Sequence, residues 1–346
     1  MRYRDAGVDI AKADALKVRL GELVRSTWPP GAAPLVGGFA GVLDLPATEP
    51  GRTRLLAATI DGVGTKLHLA LAAGRVGDAA ADLVFHGADD LLVHGARPLA
   101  FLDYLAQGRL DPAVVLEAVA GVARGCRVVG AVLLGGETAE MPDTYLPGVI
   151  DLAGCMVGVV DADRMLDGRA VRPGDEILGL AADGLHTNGF SLARAALARS
   201  GLGLGDSLPG GTGETVGEAL LAPHRWYGPA LRAALDAGRL RALAHVTGGG
   251  IAGNLARVLP AGCRARIDPA AWPRPPLIRW LILAGQIPEE DARRAFNLGL
   301  GMVVVCAPVT TESLAEELVR SGERVFRIGS IHSGERGVDW VEDDGP

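Results

Sequence analysis

Apolar runs of strand length alternate with helical patterns along the whole chain. Continuous or alternating apolar runs predict strands, and apolar residues spaced three and four apart predict helices. The predicted strands cover residues 55–60, 98–105, 132–134, 152–160, 177–181, 243–246, 302–307 and 325–331. The predicted helices cover residues 79–94, 112–129, 191–200, 230–237 and 312–321. This alternation favours a mixed α/β and α+β class over an all-helical or all-strand fold.

The clearest break between apolar segments lies at residues 167–175, where the sequence DGRAVRPGD combines polar residues, glycines and a Pro-Gly turn. Such polar, turn-rich stretches are typical of domain boundaries. With 346 residues, the chain is long enough for two domains of ordinary size. We therefore expect an N-terminal domain at residues 1–167 and a C-terminal domain at residues 168–346.

Net charge and composition limit the kinds of molecule that the protein is expected to bind. Lys and Arg number 34 and Asp and Glu 41, giving a net charge of −7, so the overall field does not favour nucleic acid or an anionic membrane. The first residues show no apolar signal-peptide core, and a cytoplasmic protein is expected. The four cysteines are widely spaced, which favours neither a disulfide framework nor structural zinc. The expected partners are small molecules and metal cations.

Glycine accounts for 49 residues and is clustered, whereas lysine and asparagine occur only three times each. One cluster, DGVGTK from Asp61 to Lys66, stands where a predicted strand gives way to a helix. Its glycines expose backbone N–H groups, Lys66 adds a cation, and Asp61 can hold the Mg²⁺ that accompanies a nucleotide. The alternative is a plain glycine-rich turn with a solvated lysine.

Carboxylates at two further places can complete a magnesium site. Asp89 and Asp90 are adjacent in a predicted helix, so at most one faces a bound metal, and Asp90 is the candidate. The strand at 132–134 is expected to end at two glycines and to place Glu137 at its carboxyl end. Asp61, Asp90 and Glu137 then supply the oxygen ligands that Mg²⁺ prefers. Solvated surface acids are the alternative.

Two motifs in the second half are candidates for binding substrate. The run His186-Thr187-Asn188-Gly189 offers an imidazole and an amide that can bind phosphate or polarise a carbonyl, although a turn before a helix is the alternative. A strand ending at His245 leads into Thr247–Gly250, whose glycines form an anion site or merely permit close packing. The other histidines, His86 and His224 included, are interpreted as ordinary surface or core residues.

Taken together and in order, these motifs resemble one family, the phosphoribosylformylglycinamidine cyclo-ligases, also called aminoimidazole ribonucleotide synthetases. The runs that carry the resemblance are YRDAGVDI at 3–10, GGFAG at 37–41, DGVGTK at 61–66, FLDY at 101–104, GGETAEMP at 135–142, HTNG at 186–189, HVTGGG at 245–250 and FNLGLGM at 296–302. They span nearly the whole chain.

The resemblance implies a two-domain synthetase whose N-terminal strands join those of a second subunit in a shared barrel, so a homodimer is expected with active sites near its interface. It implies the ATP- and Mg²⁺-dependent closure of formylglycinamidine ribonucleotide to aminoimidazole ribonucleotide in purine biosynthesis, with release of ADP and phosphate. The N-terminal domain would then bind ATP and Mg²⁺ and form the dimer.

The resemblance also implies roles for single residues. Asp61, Asp90 and Glu137 would hold Mg²⁺, and Lys66 would neutralise the transferred phosphate. The remaining nucleotide-binding residues would be Gly62, Gly64 and Thr65 together with a mobile flap made of Gly37, Gly38 and Gly41. The substrate-binding residues would be His186, Asn188, Thr247, Gly248, Gly249 and Gly250. Both His186 and His245 are candidates for the general base.

The chain departs from the family pattern at a few positions. It has Gly21 where a lysine associated with ATP is common, Asp89 where asparagine is common, Arg97 for glutamate and His224 for threonine. Arg25, one turn beyond Gly21, is the candidate to replace the missing cation. Two other functions therefore stay open: an ATP-dependent enzyme of the same superfamily with another substrate, and a catalytically silent nucleotide-binding paralogue.

Overall fold

The computed structural model describes residues 39–45 and 53–341, together with Arg2, Asp5, Ser26 and Thr27. The strands are β1 (Gly41–Asp44), β2 (Arg54–Gly62), β3 (Arg97–Gln107), β4 (Val132–Glu140), β5 (Ile150–Asp161), β6 (Glu176–Ala181), β7 (Leu240–His245), β8 (Cys263–Ile267), β9 (Leu300–Cys306), β10 (Val325–Ser333) and β11 (Gly337–Trp340). The helices are α1 (Lys66–Ala72), α2 (Val76–Leu92), α3 (Pro112–Val129), α4 (Phe190–Ser200), α5 (Val216–Leu220), α6 (Gly228–Asp236), α7 (Gly250–Leu255), α8 (Pro276–Gly285), α9 (Glu289–Ala295) and α10 (Pro308–Arg320). Gly21, Arg25, Gly37 and Gly38 lie outside the described residues.

The first sheet has the strand order β1-β2-β5-β3-β4, with only β3 and β4 parallel. Helices α2 and α3 pack against each other on one of its faces. Helix α3 begins where the sequence predicts, because the Asp111 carboxylate accepts from two N–H groups of the first turn and Pro112 needs no partner there. It ends at Gly130, whose left-handed φ of 77° suits a residue without a side chain.

The second sheet has the order β11-β8-β10-β6-β9-β7. Strand β9 is buried at all seven positions, which explains its unbroken apolar sequence LGMVVVC. The structure therefore confirms the mixed α/β, two-domain class. The last strand of the first sheet along the chain ends at Asp161, and the first strand of the second sheet begins at Glu176. The domain boundary at residue 167 stays a prediction.

One predicted strand end is wrong. Strand β4 does not stop at Gly135 and Gly136 but pairs with β3 as far as Glu140. A Cβ at Gly136 would lie 2.4 Å from Asp103 Oδ1, so the glycine permits close pairing with β3 rather than ending the strand. Glu137 consequently lies within a strand, not in a loop beyond it.

Among the described residues, no helix combines the length and the apolar character that crossing a membrane requires.

Candidate active site between the two sheets

Helix α2 brings the two halves of the chain together. It is buried along almost its whole length, and three of the buried residues are aspartates. Each aspartate contacts a group from the C-terminal half: Asp82 Oδ1 accepts from His224 N at 2.7 Å, Asp89 Oδ1 from Tyr227 N at 3.1 Å, and Asp90 Oδ1 lies 2.8 Å from His245 Nδ1. The adjacent acids Asp89 and Asp90 are thus both buried, which excludes a solvated pair.

Two of the three predicted metal ligands converge on one imidazole. His86 Nε2 lies 2.9 Å from Asp61 Oδ2 and 3.7 Å from Asp90 Oδ2. Burial raises the pKa of Asp61, but the hydrogen bond and charge of His86 outweigh it, so the pKa lies below its ordinary value. Burial lowers the pKa of His86, but the charge of Asp90 and the hydrogen bond to Asp61 outweigh that effect and raise it. This arrangement favours an ionised, half-exposed Asp61.

Glu137 is not brought to this pair within one subunit. It pairs with Tyr104, which in turn pairs with Ala153, and these residues lie on the face of the first sheet opposite to the helices. Asp61 pairs with Gly154 and lies on the helix-packed face. Because successive residues of a strand point to opposite faces, the sheet separates the two carboxylates.

Lys66 is buried rather than extended into solvent. Its Nζ donates to Asp82 Oδ2 at 2.6 Å, to the carbonyl of His186 at 2.8 Å and to that of Ala222 at 3.4 Å. Both charged side chains are only 1% exposed. Lys66 therefore ties the segment that begins α1 to two loops of the C-terminal half. Thr65 adds a second link, with its hydroxyl 3.1 Å from Ser191 Oγ.

The loop before α4 holds His186 in a backbone conformation that is unusual for its residue type. Its φ is 60°, a left-handed value that costs energy for a side chain other than glycine. Its ring stacks on His224 at a centroid distance of 4.1 Å. Burial lowers the pKa values of both imidazoles well below the ordinary value, so both are neutral near pH 7.

The segment Thr247–Gly250, here called the glycine turn, is held by Asn254. The Asn254 amide donates to the carbonyls of Thr247, Gly248 and Gly250, and its oxygen accepts from the Thr247 hydroxyl at 3.1 Å. A Cβ on Gly248 would lie 3.4 Å from Asn188 Oδ1, so the two predicted substrate motifs meet here. Of the predicted flap glycines, only Gly41 is described, and it pairs with Ala58 at the start of β1.

Four important residues were not singled out as functional by the sequence. His86 and His224 were interpreted as ordinary histidines, yet both are buried at the centre of the site. Asp82 is the partner of Lys66, and Asn254 positions the glycine turn. Only Asn254 had a signal, as one of three asparagines in the chain.

Comparison with known families shows that the fold is that of an AIR synthase related protein. The family "AIR synthase related protein, N-terminal domain" matches residues 37–160, and "AIR synthase related protein, C-terminal domain" matches residues 172–341. The chain is 46% identical over 336 residues to a phosphoribosylformylglycinamidine cyclo-ligase from Sorangium cellulosum, covering 96% of this chain and 95% of that one. It is 44% identical over 331 residues to a protein of the same name from Nitrosococcus oceani, covering 96% and 91%. The chain therefore belongs to the phosphoribosylformylglycinamidine cyclo-ligase family.

Solved structures of lower identity share the fold. Thiamine-monophosphate kinase from Stenotrophomonas maltophilia superimposes with a TM-score of 0.63 at 20% identity, covering 92% of this chain and 93% of that one. The hydrogenase maturation protein HypE from E. coli superimposes with a TM-score of 0.61 at 17% identity, covering 84% of each chain.

Proposed function

We propose that this chain closes formylglycinamidine ribonucleotide to aminoimidazole ribonucleotide with consumption of ATP and release of ADP and phosphate, a step of purine biosynthesis. Membership of the cyclo-ligase family over 96% of the chain supports the reaction. The observation that carries the proposal is the contact of Asp90 with His245, 2.8 Å apart, because it joins the predicted metal-binding and substrate-binding motifs in one site.

Asp61 and Asp90 are the residues proposed to hold Mg²⁺. Their carboxylate oxygens are the hard ligands this ion prefers, and both lie within 4 Å of the same His86 nitrogen. When bound, Mg²⁺ neutralises charge on the phosphates of ATP. Glu137, on the far face of the sheet, is proposed to act on nucleotide bound at the interface with a second subunit.

Substrate is proposed to lie against His186, Asn188 and the glycine turn. Backbone N–H groups at the glycine turn can bind a phosphate, and Asn188 lies beside them. His186 and His245 both stay candidates for the general base. Burial lowers the pKa of each ring, so each is neutral near pH 7 and able to accept a proton.

The nucleotide is proposed to bind at Gly62, Gly64 and Thr65, under the flap that contains Gly41. Lys66 contributes by holding the His186 carbonyl in the present conformation. The role of Lys66 in neutralising the transferred phosphate stays a prediction, since reaching a phosphate requires it to leave Asp82.

A homodimer is proposed to form through the uncovered face of the first sheet. Ile60 and Leu134 are 73% and 66% exposed, and Leu102 lies in the same face between them. An apolar sheet face of this kind is normally covered by a partner. Ile60→Asp should convert the dimer to a monomer in light scattering, whereas Leu116→Asp, on an exposed position of α3, should leave it intact. A wild-type monomer would refute the dimer.

A coupled assay of ADP release and imidazole formation tests the reaction. We expect both products in equal amounts, only with formylglycinamidine ribonucleotide present. Asp61→Asn and Asp90→Asn should lower turnover by orders of magnitude, while the exposed control Asp163→Asn should not. ADP without the imidazole product would indicate a related enzyme with another substrate. No ADP at all would indicate a silent paralogue, for which ligand-dependent stabilisation without turnover is the expected signature.

A further inference from the structure

Histidines from both halves of the chain gather beside the proposed magnesium site. One ring nitrogen from each of His86, His224 and His245 lies within 4.8 Å of the others, and all three side chains are buried. His86 comes from α2, His224 from the loop after α5, and His245 from the end of β7. The ring centroids of His86 and His245 are 4.9 Å apart, and those of His224 and His245 are 5.1 Å apart.

Two of these rings already face each other as ligands of one ion do. His224 Nε2 and His245 Nε2 are 3.2 Å apart. A tetrahedral ion with metal–nitrogen bonds of about 2.0–2.1 Å holds its ligand nitrogens roughly 3.3 Å apart. Asp90 Oδ1 accepts from His245 Nδ1 at 2.8 Å, which directs the lone pair of Nε2 toward His224. A carboxylate behind a ligating histidine is the usual second-shell arrangement at metal sites.

Unpaired polar atoms are concentrated at the same place. Among the described residues, the buried side-chain polar atoms without a hydrogen-bond partner are Asp89 Oδ2, His186 Nδ1 and His224 Nδ1. Asp89 Oδ2 lies 3.4 Å from His224 Nε2, and the His186 ring stacks on that of His224. Buried polar groups are nearly always paired, so their concentration here indicates a ligand-binding site.

We propose that His86, His224 and His245 bind a transition-metal ion of the zinc type, at a second site adjacent to the magnesium site at Asp61 and Asp90. Three imidazoles suit Zn²⁺ or Co²⁺, whereas Mg²⁺ prefers oxygen ligands. His86 changes partners on binding: its ring nitrogens now contact Thr187 Oγ1 at 2.7 Å and Asp61 Oδ2 at 2.9 Å, and it gives up one contact for the ion. Because Asp61 contacts His86 and is itself half-exposed, one residue separates the histidine cluster from solvent on this side.

The ion would link the two halves of the chain, because His86 belongs to the first half and the other two ligands to the second. Binding to this closed arrangement stabilises it against separation and against unfolding. The site stands on the described geometry and does not depend on the proposed ring-closing reaction.

Cobalt titration of the chelator-treated full chain tests the proposal. We expect one Co²⁺ per chain, the visible absorption of a tetrahedral nitrogen site, displacement by Zn²⁺, and no displacement by excess Mg²⁺. At about 100-fold excess over its dissociation constant, Zn²⁺ should raise the unfolding temperature by several degrees. His224→Ala should lose the absorption and weaken binding at least ~100-fold, more than loss of an outer-shell partner does. His332→Ala, an exposed histidine, is the matched control and should bind as the wild type does.

A second variant keeps the test decisive if His224→Ala folds poorly. Asp90→Asn leaves all three imidazoles in place and should weaken Co²⁺ binding about 10- to 100-fold through His245. The proposal is overturned if wild-type protein shows no tetrahedral cobalt absorption, if Mg²⁺ displaces the ion, or if His224→Ala binds it as tightly as the wild type.

Discussion

Removing Asp82 should destabilise the protein more than any exposed acid does. The Asp82 carboxylate and the Lys66 ammonium are each 1% exposed, with Oδ2 and Nζ 2.6 Å apart. The other carboxylate oxygen of Asp82 accepts from His224 N at 2.7 Å. In Asp82→Ala, a buried ammonium keeps only carbonyl partners and a buried N–H loses its acceptor. Breaking a buried ion pair costs about 3–5 kcal/mol, and an orphaned N–H about 1–3 kcal/mol. Since the Lys66 ammonium keeps two carbonyl acceptors, from His186 and Ala222, we expect a total of about 4 kcal/mol rather than the full sum.

Urea unfolding followed by fluorescence of the five tryptophans and by circular dichroism measures this cost. Coincident transitions justify a single free energy of unfolding. Asp82→Asn keeps an acceptor for His224 N and should cost less than Asp82→Ala. Lys66→Met combined with Asp82→Leu removes both charges and should recover most of the loss.

The matched control is an ion pair in solvent. Arg294 and Glu290 are 60% and 74% exposed and lie one turn apart on α9. Glu290→Ala should cost at most about 0.5 kcal/mol. If Asp82→Ala costs no more than this control, the pair does not hold the two halves together and the reasoning is refuted.

Three further changes test other parts of the site. Asn254→Ala should cost about 2–3 kcal/mol in urea unfolding and raise the KM for substrate, because the glycine turn loses its buried hydrogen bonds; an unchanged KM would contradict the role. Gly250→Ala should destabilise strongly, since φ is 67° and a Cβ would lie 1.8 Å from a carbonyl of α9, whereas Gly253→Ala on the same helix meets nothing within 4 Å and should be neutral or slightly stabilising. Burial lowers the pKa values of His186 and His224, so below about pH 6.5 the unfolded chain binds more protons than the folded one. The free energy of unfolding therefore decreases as the pH is lowered, by up to about 1.4 kcal/mol per pH unit for each ring, and His86, whose pKa is raised, partly offsets this loss. His224→Gln should flatten that slope between pH 6.5 and 5, and an equal slope would exclude the assignment.

Local patterns predicted the local structure well. The Asp111 cap and Pro112 mark the start of α3, and the apolar run at 302–307 marks β9, because capping and burial act over a few residues. The predicted end of β4 was wrong because it depends on a neighbouring strand and not on local sequence. A pair of glycines is typical of a turn, but here Gly136 lies against Asp103 of β3.

Long-range relations could not be obtained from the sequence. Glu137 was grouped with Asp61 because both follow apolar strands, but the face on which each lies depends on strand register. His86 and His224 are 138 residues apart in the chain, so nothing local distinguishes them from ordinary core histidines. Lys66 is predicted as a cation for phosphate, with a solvated lysine as the alternative, and neither interpretation includes its burial, which depends on Asp82 from the next helix.

The contacts that assemble the site are also the contacts that hold the two halves together. The buried aspartates of α2 contact groups from the C-terminal half of the chain, whereas the Asp61 side chain is half-exposed. The two proposed magnesium ligands should therefore contribute differently to the free energy of unfolding, although both are needed for activity. Asp90→Ala leaves the ring N–H of His245 and the hydroxyl of Thr59 without their acceptor and should cost about 2–3 kcal/mol.

Asp61→Ala should cost under about 1 kcal/mol, because water can replace the half-exposed carboxylate at Gly62 N and His86. Urea unfolding and turnover measured on the same preparations separate the two effects. Equal losses of stability in both variants would mean that Asp90 does not join the halves. Equal loss of turnover with unequal loss of stability would show that Asp90 serves both the metal site and the contact between the domains, whereas Asp61 serves the metal site alone.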